Sequence, residues 1–127
     1  MALDEAACIL LVEDNPLNQA LLEQMLEWLE RSADLAENGQ QAVAMALSGQ
    51  YRLILMDIQM PVMNGLEATY QIRHSPLASQ PKIVAMTANA FVEDKQRCLE
   101  AGMNGMLVKP FRLQDLEQVI HTYLDED

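Results

Sequence analysis

The sequence contains few of the residues that mark exported, disulfide-stabilised or membrane proteins. Its two cysteines, Cys8 and Cys98, are too few for a disulfide framework and lack the spacing of a metal site. We interpret both as small buried hydrophobic residues. The apolar runs are far shorter than the roughly 20 residues of a membrane-spanning helix, and no basic segment followed by an apolar one opens the chain. We therefore expect a cytoplasmic protein without membrane contact.

Positive charge is also scarce. Eight Lys and Arg residues stand against 19 Asp and Glu residues, the net charge is −11, and the first thirty residues contain no Lys or Arg. A chain so poor in cations is not expected to bind nucleic acid through this domain. Most of the acidity is explained by a solvated surface. Of the two histidines, His74 falls near the end of a helical pattern and His121 within the last one, where surface or packing roles are expected before catalysis.

An alternation of short apolar runs with helical patterns predicts the fold. The predicted strands are 8–12, 33–36, 53–56, 82–86 and 105–108, and the predicted helices are 16–30, 40–47, 66–73, 93–101 and 113–124. This alternation is typical of repeated βαβ units, in which helices cover both faces of a parallel sheet. A length of 127 residues with 50% apolar content fits one domain.

Acidic residues follow two of the predicted strands. Glu13 and Asp14 come after the first strand and Asp57 after the third, and these two strands are neighbours in a doubly wound sheet. Two unit charges about 4 Å apart repel by about 4 kcal/mol at an effective dielectric near 20. Three such carboxylates need raised pKa values or a bound cation, and a site with few oxygen ligands suits Mg²⁺. Each acid taken alone is more often a helix cap or a solvated residue.

Two further polar residues follow later strands, Thr87 after the fourth and Lys109 after the fifth. A metal ion, a hydroxyl and an ammonium directed at one carboxylate are the groups that position and neutralise a phosphoryl group. In this interpretation Asp57 is a nucleophile that forms an aspartyl phosphate.

The first predicted helix begins after Asn15, which precedes a proline and is suited to cap the helix. Its apolar residues cover an arc of roughly 180°, wider than the about 100° that a core-facing stripe needs. Either one flank faces a partner or the helix is deeply embedded. The solvent exposure of Leu22, Leu26 and Leu29 distinguishes the two possibilities.

Four strings resemble the response-regulator receiver domain of two-component signalling, in the family's order and separations. They are ILLVEDNPLN, LILMDIQMPVMNG, IVAMTANA and AGMNGMLVKPF, and the resemblance extends from about Ala7 to Leu124. It implies an α/β, flavodoxin-like doubly wound (βα)5 fold whose five-stranded parallel sheet has the order 2-1-3-4-5.

The resemblance also implies roles for individual residues around a magnesium ion. Asp57 would receive the phosphoryl group from a phosphohistidine. Asp14, Asp57 and the backbone carbonyl of Gln59 would bind Mg²⁺ directly, and Glu13 would act mainly through a metal-bound water. The uncharged Gln59 and Asn89 occupy positions that tune hydrolysis of the phosphoryl group, and we expect an intermediate lifetime.

The phosphoryl group would have two further partners by the same resemblance, Lys109 and Thr87. Lys109 would hold a phosphoryl oxygen, and its bond to Pro110 is expected to be cis. Thr87 would turn toward the phosphoryl group and report its presence. Many receivers have an aromatic residue where this chain has Met106, so coupling through this position is either looser than usual or replaced by simple packing.

The strings are most similar to receivers attached to hybrid sensor histidine kinases. The implied function is a phosphoacceptor signalling module, not an enzyme beyond its own phosphorylation and dephosphorylation. The implied partner is a histidine kinase or histidine phosphotransfer domain, docking near the first helix and the acidic pocket. The alternative is a stand-alone regulator, or a receiver whose output domain lies elsewhere.

Two unrelated functions fit the sequence less well. A flavin carrier needs a phosphate-binding loop rich in Ser, Thr and Gly after the first strand, where this chain has Glu13 and Asp14. An aspartate-nucleophile phosphatase has a second acid two residues after its nucleophile, whereas this chain has Gln59 there.

Overall fold

One five-stranded parallel sheet organises the protein, of which the computed structural model describes residues 8–49, 51–58, 63–77, 79–88 and 92–125. The strands are β1 (Ile9–Val12), β2 (Ala33–Ala36), β3 (Leu53–Asp57), β4 (Lys82–Thr87) and β5 (Gly105–Val108). Neighbouring strands are parallel and the sheet order is β2-β1-β3-β4-β5. The predicted fold class and strand order are confirmed.

Within the described ranges, five helices connect and follow the strands. They are α1 (Pro16–Trp28), α2 (Gly39–Ser48), α3 (Gly65–Arg73), α4 (Val92–Ala101) and α5 (Leu113–Ile120), and a π-helical turn, His121–Asp125, continues α5. The first helix was predicted to reach Glu30, but that residue has a φ of 61°. Because a left-handed residue cannot continue a right-handed helix, α1 ends before it.

The sheet is buried on both faces, which explains why β1 and β3 read as continuous apolar runs. Alternate residues of each strand point to opposite faces, so Leu11 and Leu55 contact the core under α1 and α5, whereas Leu10 and Ile54 contact the core under α2 and α3. Cys98 is buried, as predicted, while Cys8 is only partly buried.

One flank of α1 is exposed, but not the flank that the sequence analysis selected as the test. Leu22 and Leu26 are 3% and 1% exposed, and Leu29 packs against the core. The exposed apolar residues of α1 are Leu17, Leu21 and Trp28, which are 81%, 57% and 62% exposed. At about 100° per residue these three lie within roughly 40° of one another. We call them the α1 stripe.

No helix in the part of the chain that the structure describes is long and apolar enough to cross a membrane.

Candidate functional site

Polar residues lie at the carboxyl ends of four strands, on one side of the sheet that we call the carboxyl edge. Glu13 and Asp14 follow β1, and Lys109 follows β5, whereas Asp57 and Thr87 are the last residues of β3 and β4. The sequence analysis had ended those two strands one residue earlier. Because β1, β3, β4 and β5 are successive neighbours, the five residues are brought to adjacent positions.

Three carboxylates meet at this edge. Glu13, Asp14 and Asp57 each offer one oxygen, and these oxygens lie within 4.8 Å of one another. Glu13 and Asp57 are only 1% and 4% exposed, while Asp14 is exposed. Buried carboxylates at this separation are costly without a cation, and an all-oxygen donor set of this kind fits Mg²⁺.

Lys109 supplies one cation to the cluster. Its Nζ donates to Glu13 Oε1 at 3.2 Å and lies 3.6 Å from Asp57 Oδ2. The peptide bond to Pro110 is cis, as the family resemblance implied. The Lys109 backbone N–H donates to the Thr87 carbonyl at 2.7 Å, which fixes the lysine beside the end of β4. Counting the described residues, one ammonium and three carboxylates leave two negative charges, the number that a divalent ion balances.

The turn from β1 to α1 is held by its own polar groups. Asn15 Oδ1 accepts from the backbone N–H groups of Leu17 and Asn18 at 2.9 and 3.2 Å, as an N-cap residue does. The Asn15 N–H donates to Glu13 Oε2 at 3.2 Å. Glu13 therefore accepts one bond at each carboxylate oxygen, from Asn15 and from Lys109.

An open hollow of about 370 Å³ lies over the carboxylates. Its lining residues are Glu13, Asp14, Asn15, Pro16, Asn18, Asp57, Ala88 and Lys109. One water occupies about 30 Å³ in the liquid, so the hollow has room for a hydrated ion together with a phosphoryl group. Thr87 is 1% exposed, which places its hydroxyl away from solvent at the end of β4.

Gly65 allows α3 to approach the backbone of Asp57 closely. A Cβ at Gly65 would lie 2.5 Å from the Asp57 carbonyl oxygen and 2.8 Å from Ile58 Cα. Both are backbone atoms, so a larger residue would displace the strand end that bears the carboxylate. The helix predicted at 66–73 began one residue after Gly65, and this close approach to the end of β3 is not visible in local sequence.

The sequence analysis named three further residues, Gln59, Asn89 and Met106. Gln59 and Asn89 lie outside the described residues. Met106 is half-buried on β5 and packs against the core under α2 and α3, so the described contacts are those of a packing residue.

Comparison with protein families gives one match over most of the chain. The model described as response regulator receiver domain matches residues 9–121. Similar curated proteins include hybrid signal transduction histidine kinase B of Dictyostelium discoideum, 44% identical over 92% of this chain and 7% of that protein. The histidine-protein kinase BarA of Escherichia coli is 37% identical over 93% of this chain and 13% of that protein. The chain thus spans only a small part of these relatives.

Solved structures with the same fold include two receiver domains. The receiver domain of the sensor histidine kinase PA1611 of Pseudomonas aeruginosa, with a magnesium ion in its active-site cleft, has a TM-score of 0.87 and 41% identity, covering 95% of this chain and 99% of that one. The receiver domain of Ssk1 of Saccharomyces cerevisiae, co-crystallised with the histidine phosphotransfer protein Ypd1, has a TM-score of 0.84 and 38% identity, covering 93% and 88%.

Proposed function

The chain belongs to the response regulator receiver domain family, and from this premise we propose that Asp57 accepts a phosphoryl group from a phosphohistidine in a Mg²⁺-dependent reaction. The observation that carries the proposal is the meeting of three carboxylate oxygens within 4.8 Å, with the Lys109 ammonium 3.6 Å from Asp57. Receiver domains are regulatory phosphoacceptor modules and not conventional enzymes. Catalysis of its own phosphorylation and dephosphorylation is part of the proposal.

The transfer requires one bond to form and one to break. An Asp57 carboxylate oxygen attacks phosphorus, the bond from phosphorus to the donor imidazole nitrogen breaks, and that nitrogen takes a proton from solvent. Lys109 offsets the negative charge of the phosphoryl oxygens, and the Thr87 hydroxyl turns toward one of them. Hydrolysis of the aspartyl phosphate by water returns Asp57 to its starting state.

Mg²⁺ would be held directly by Asp14, Asp57 and the Gln59 carbonyl. When bound, the ion supplies charge neutralisation and alignment of the phosphoryl oxygens. Both oxygens of Glu13 already accept protein hydrogen bonds, so this residue contributes to the ion through water. The magnesium ion in the PA1611 receiver supports the choice of metal.

The partner that we propose is a histidine kinase or a helical histidine phosphotransfer domain, and the α1 stripe is its docking surface. Pro16 and Asn18 line the hollow, so the stripe begins beside the site with Leu17, which is 81% exposed. Exposed apolar groups in a row mark interaction surfaces. The Ssk1 receiver bound to Ypd1 supports this partner class. After such docking, the domain passes on its signal either by onward transfer of the phosphoryl group or by a conformational change. The alternative is that the domain is a stand-alone regulator or that its output domain lies elsewhere.

We also propose that residues 1–127 form a single domain with its core at about 7–124. We further propose that this domain acts in the cytoplasm, because the ATP that a histidine kinase uses is found there. A net charge of −11 argues against nucleic acid binding through this domain.

Incubation with acetyl phosphate and Mg²⁺, followed by a gel that retards phosphoproteins, tests the proposed chemistry. The wild-type chain is expected to shift, whereas Asp57→Asn and wild type with a chelator are not. Asp34→Asn is the matched control because Asp34 is exposed on β2 and should shift like wild type. A shift of the Asp57 variant would place the acceptor elsewhere and defeat the proposal.

Transfer from phosphorylated Ypd1 tests the docking surface. Leu21→Asp is expected to slow this transfer at least tenfold, because it puts a charge in the α1 stripe, while labelling by acetyl phosphate stays unchanged. Leu47→Asp is the control, since Leu47 is 43% exposed on α2. Equal transfer rates for the two variants would remove α1 from the interface.

A further inference from the structure

Gln19 reaches back from α1 to the turn that carries the two adjacent acids. Its side-chain Nε2 donates to the Glu13 carbonyl oxygen at 2.7 Å, and its backbone N–H donates to the Asn15 carbonyl at 2.9 Å. Side chains on a helix point toward the helix N-terminus, so a residue one turn into α1 can reach the residue before the cap. Gln19 thus ties the helix to the end of β1 without lining the hollow.

The bonded carbonyl belongs to the peptide group that joins Glu13 to Asp14. Glu13 is fixed independently, because its N–H donates to the Ala36 carbonyl at 3.1 Å and its carboxylate accepts from Asn15 and Lys109. Asp14 differs, since among the described residues no hydrogen bond to its exposed carboxylate is found. The direction of the Asp14 side chain therefore depends on the backbone that Gln19 holds.

Electrostatic repulsion acts against this arrangement. The Asp14 carboxylate lies within 4.8 Å of two others, and as the most exposed of the three it can lower the energy by rotating toward solvent. A hydrogen bond to the preceding peptide group opposes that rotation. A neutral amide does so without adding a positive charge that would compete with a bound cation.

We infer that Gln19 is a positioning residue that keeps Asp14 directed at Asp57 and thereby sets the affinity of the acidic cluster for Mg²⁺. The inference rests on the proposed function. Gln19 does not touch the ion; it acts through the Glu13–Asp14 peptide group. Loss of a residue that orients a metal ligand typically lowers the metal affinity by about 10- to 100-fold.

Isothermal titration of the unphosphorylated chain with Mg²⁺ tests the inference. Gln19→Leu is expected to raise the Mg²⁺ dissociation constant about tenfold. The matched control is Gln24→Leu on the same helix, where the side-chain amide donates to the exposed Glu27 at 3.1 Å; its constant should stay within twofold of wild type. In the metal-free protein, hydrogen exchange at the Asn15 amide should accelerate in Gln19→Leu and not in the control.

Phosphorylation by acetyl phosphate separates positioning from general damage. Gln19→Leu should need about tenfold more Mg²⁺ for half-maximal labelling, while the maximal rate at saturating Mg²⁺ stays within twofold of wild type. A variant that melts at lower temperature but binds Mg²⁺ as tightly as wild type would overturn the inference. Gln19→Met, which keeps an unbranched side chain, is the second variant. If neither variant folds, Gln19 is needed for folding itself and the inference is overturned.

These outcomes are distinct from failure of the proposed function. Wild type that neither binds Mg²⁺ nor is labelled would defeat the function and the inference together. Wild type that is labelled at Asp57, with an unchanged dissociation constant in both Gln19 variants, would defeat only the inference.

Discussion

The two ends of the sheet use charge in opposite ways. At the carboxyl edge, among the described residues, three clustered carboxylates outnumber the one lysine that contacts two of them. At the end where the strands begin, which we call the amino edge, arginines join segments that are distant in sequence. Arg31 donates two bonds to Asp125 at 2.6 and 2.7 Å, and Arg52 donates to the Leu124 carbonyl at 2.8 Å. One end is arranged for stability, and the other carries unbalanced charge that a ligand can use.

Arg73 is the centre of the amino edge. Its guanidinium donates to the Gly102 and Pro81 carbonyls and to the Asn104 and Gln80 side chains, at 2.8 to 2.9 Å. Asn104 in turn exchanges two bonds with the backbone of Ile83 in β4. Burial lowers the pKa of Arg73 from its ordinary value, and a guanidinium is charged at neutral pH. The arginine thus joins α3 to the segments that precede β4 and β5.

Removal of Arg73 is expected to have the largest effect on stability. Arg73→Leu loses four hydrogen bonds at about 1 kcal/mol each, so the free energy of unfolding should fall by about 4 kcal/mol. Urea denaturation measures this loss. Arg112→Leu is the control, because the Arg112 side chain is 76% exposed, and it should change stability by less than about 0.5 kcal/mol. A Mg²⁺ affinity altered by Arg73→Leu would contradict the separation of the two edges.

A methyl group at Gly65 is expected to affect both stability and the site. Gly65→Ala places Cβ against the backbone of Asp57 and Ile58, and overpacking of this kind costs about 1 to 3 kcal/mol. Labelling by acetyl phosphate should slow, because the acceptor carboxylate moves. Gly49→Ala serves as the control: it meets mainly the Tyr51 ring and should leave labelling unchanged. Normal labelling of Gly65→Ala would show that the strand end tolerates displacement.

Relief of the acidic crowding should produce a smaller effect of opposite sign. Asp57→Asn removes one of three neighbouring charges and is expected to stabilise the protein by about 1 kcal/mol, a rise in melting temperature of about 4 °C. Saturating Mg²⁺ should stabilise wild type by binding the folded state, and should do so much less in the variant. Calorimetry at neutral pH measures both. Asp34→Asn, which removes an acid outside the cluster, should give no rise.

The smallest expected effect is a change in alkaline stability at Tyr51. Burial, with a hydrogen bond to Asp34 and the charge of that acid, raises the Tyr51 pKa from 10.0 to about 12. The unfolded chain therefore loses the phenol proton first, so this contribution to stability is complete below pH 10 and is lost as pH rises toward 12. Tyr51→Phe should be less stable than wild type at pH 9, and the difference should shrink by pH 11. Urea denaturation at both pH values measures the difference in stability between the two proteins. A difference that stays constant from pH 9 to pH 11 would contradict this assignment.

Sequence patterns were sufficient to predict the carboxyl edge but not the amino edge. Buried parallel strands give continuous apolar runs, so their ends, and the polar residues after them, can be located from sequence. The bonds of Arg73 extend to residues 80, 81, 102 and 104. No local pattern marks partners at such separations, and the same holds for Gly65 beneath Asp57.

The exposed side of α1 was also beyond prediction. An apolar arc of roughly 180° shows that more residues are apolar than the core needs, but the sheet decides which flank is covered. Leu22 and Leu26 are buried in the core, whereas Leu17 and Leu21 are exposed to solvent. Gln19 was missed for a similar reason, since its contact with the Glu13 carbonyl depends on how the turn folds back over β1.

Trp28 is the only tryptophan of the chain and is 62% exposed at the end of α1. It lies about 16 Å along the helix axis from Leu17, at a rise of 1.5 Å per residue. Its fluorescence therefore reports, without any label, how far a bound protein extends along the helix. An emission maximum that moves to shorter wavelength indicates coverage of the whole stripe, and an unchanged spectrum on binding indicates contact near the hollow alone.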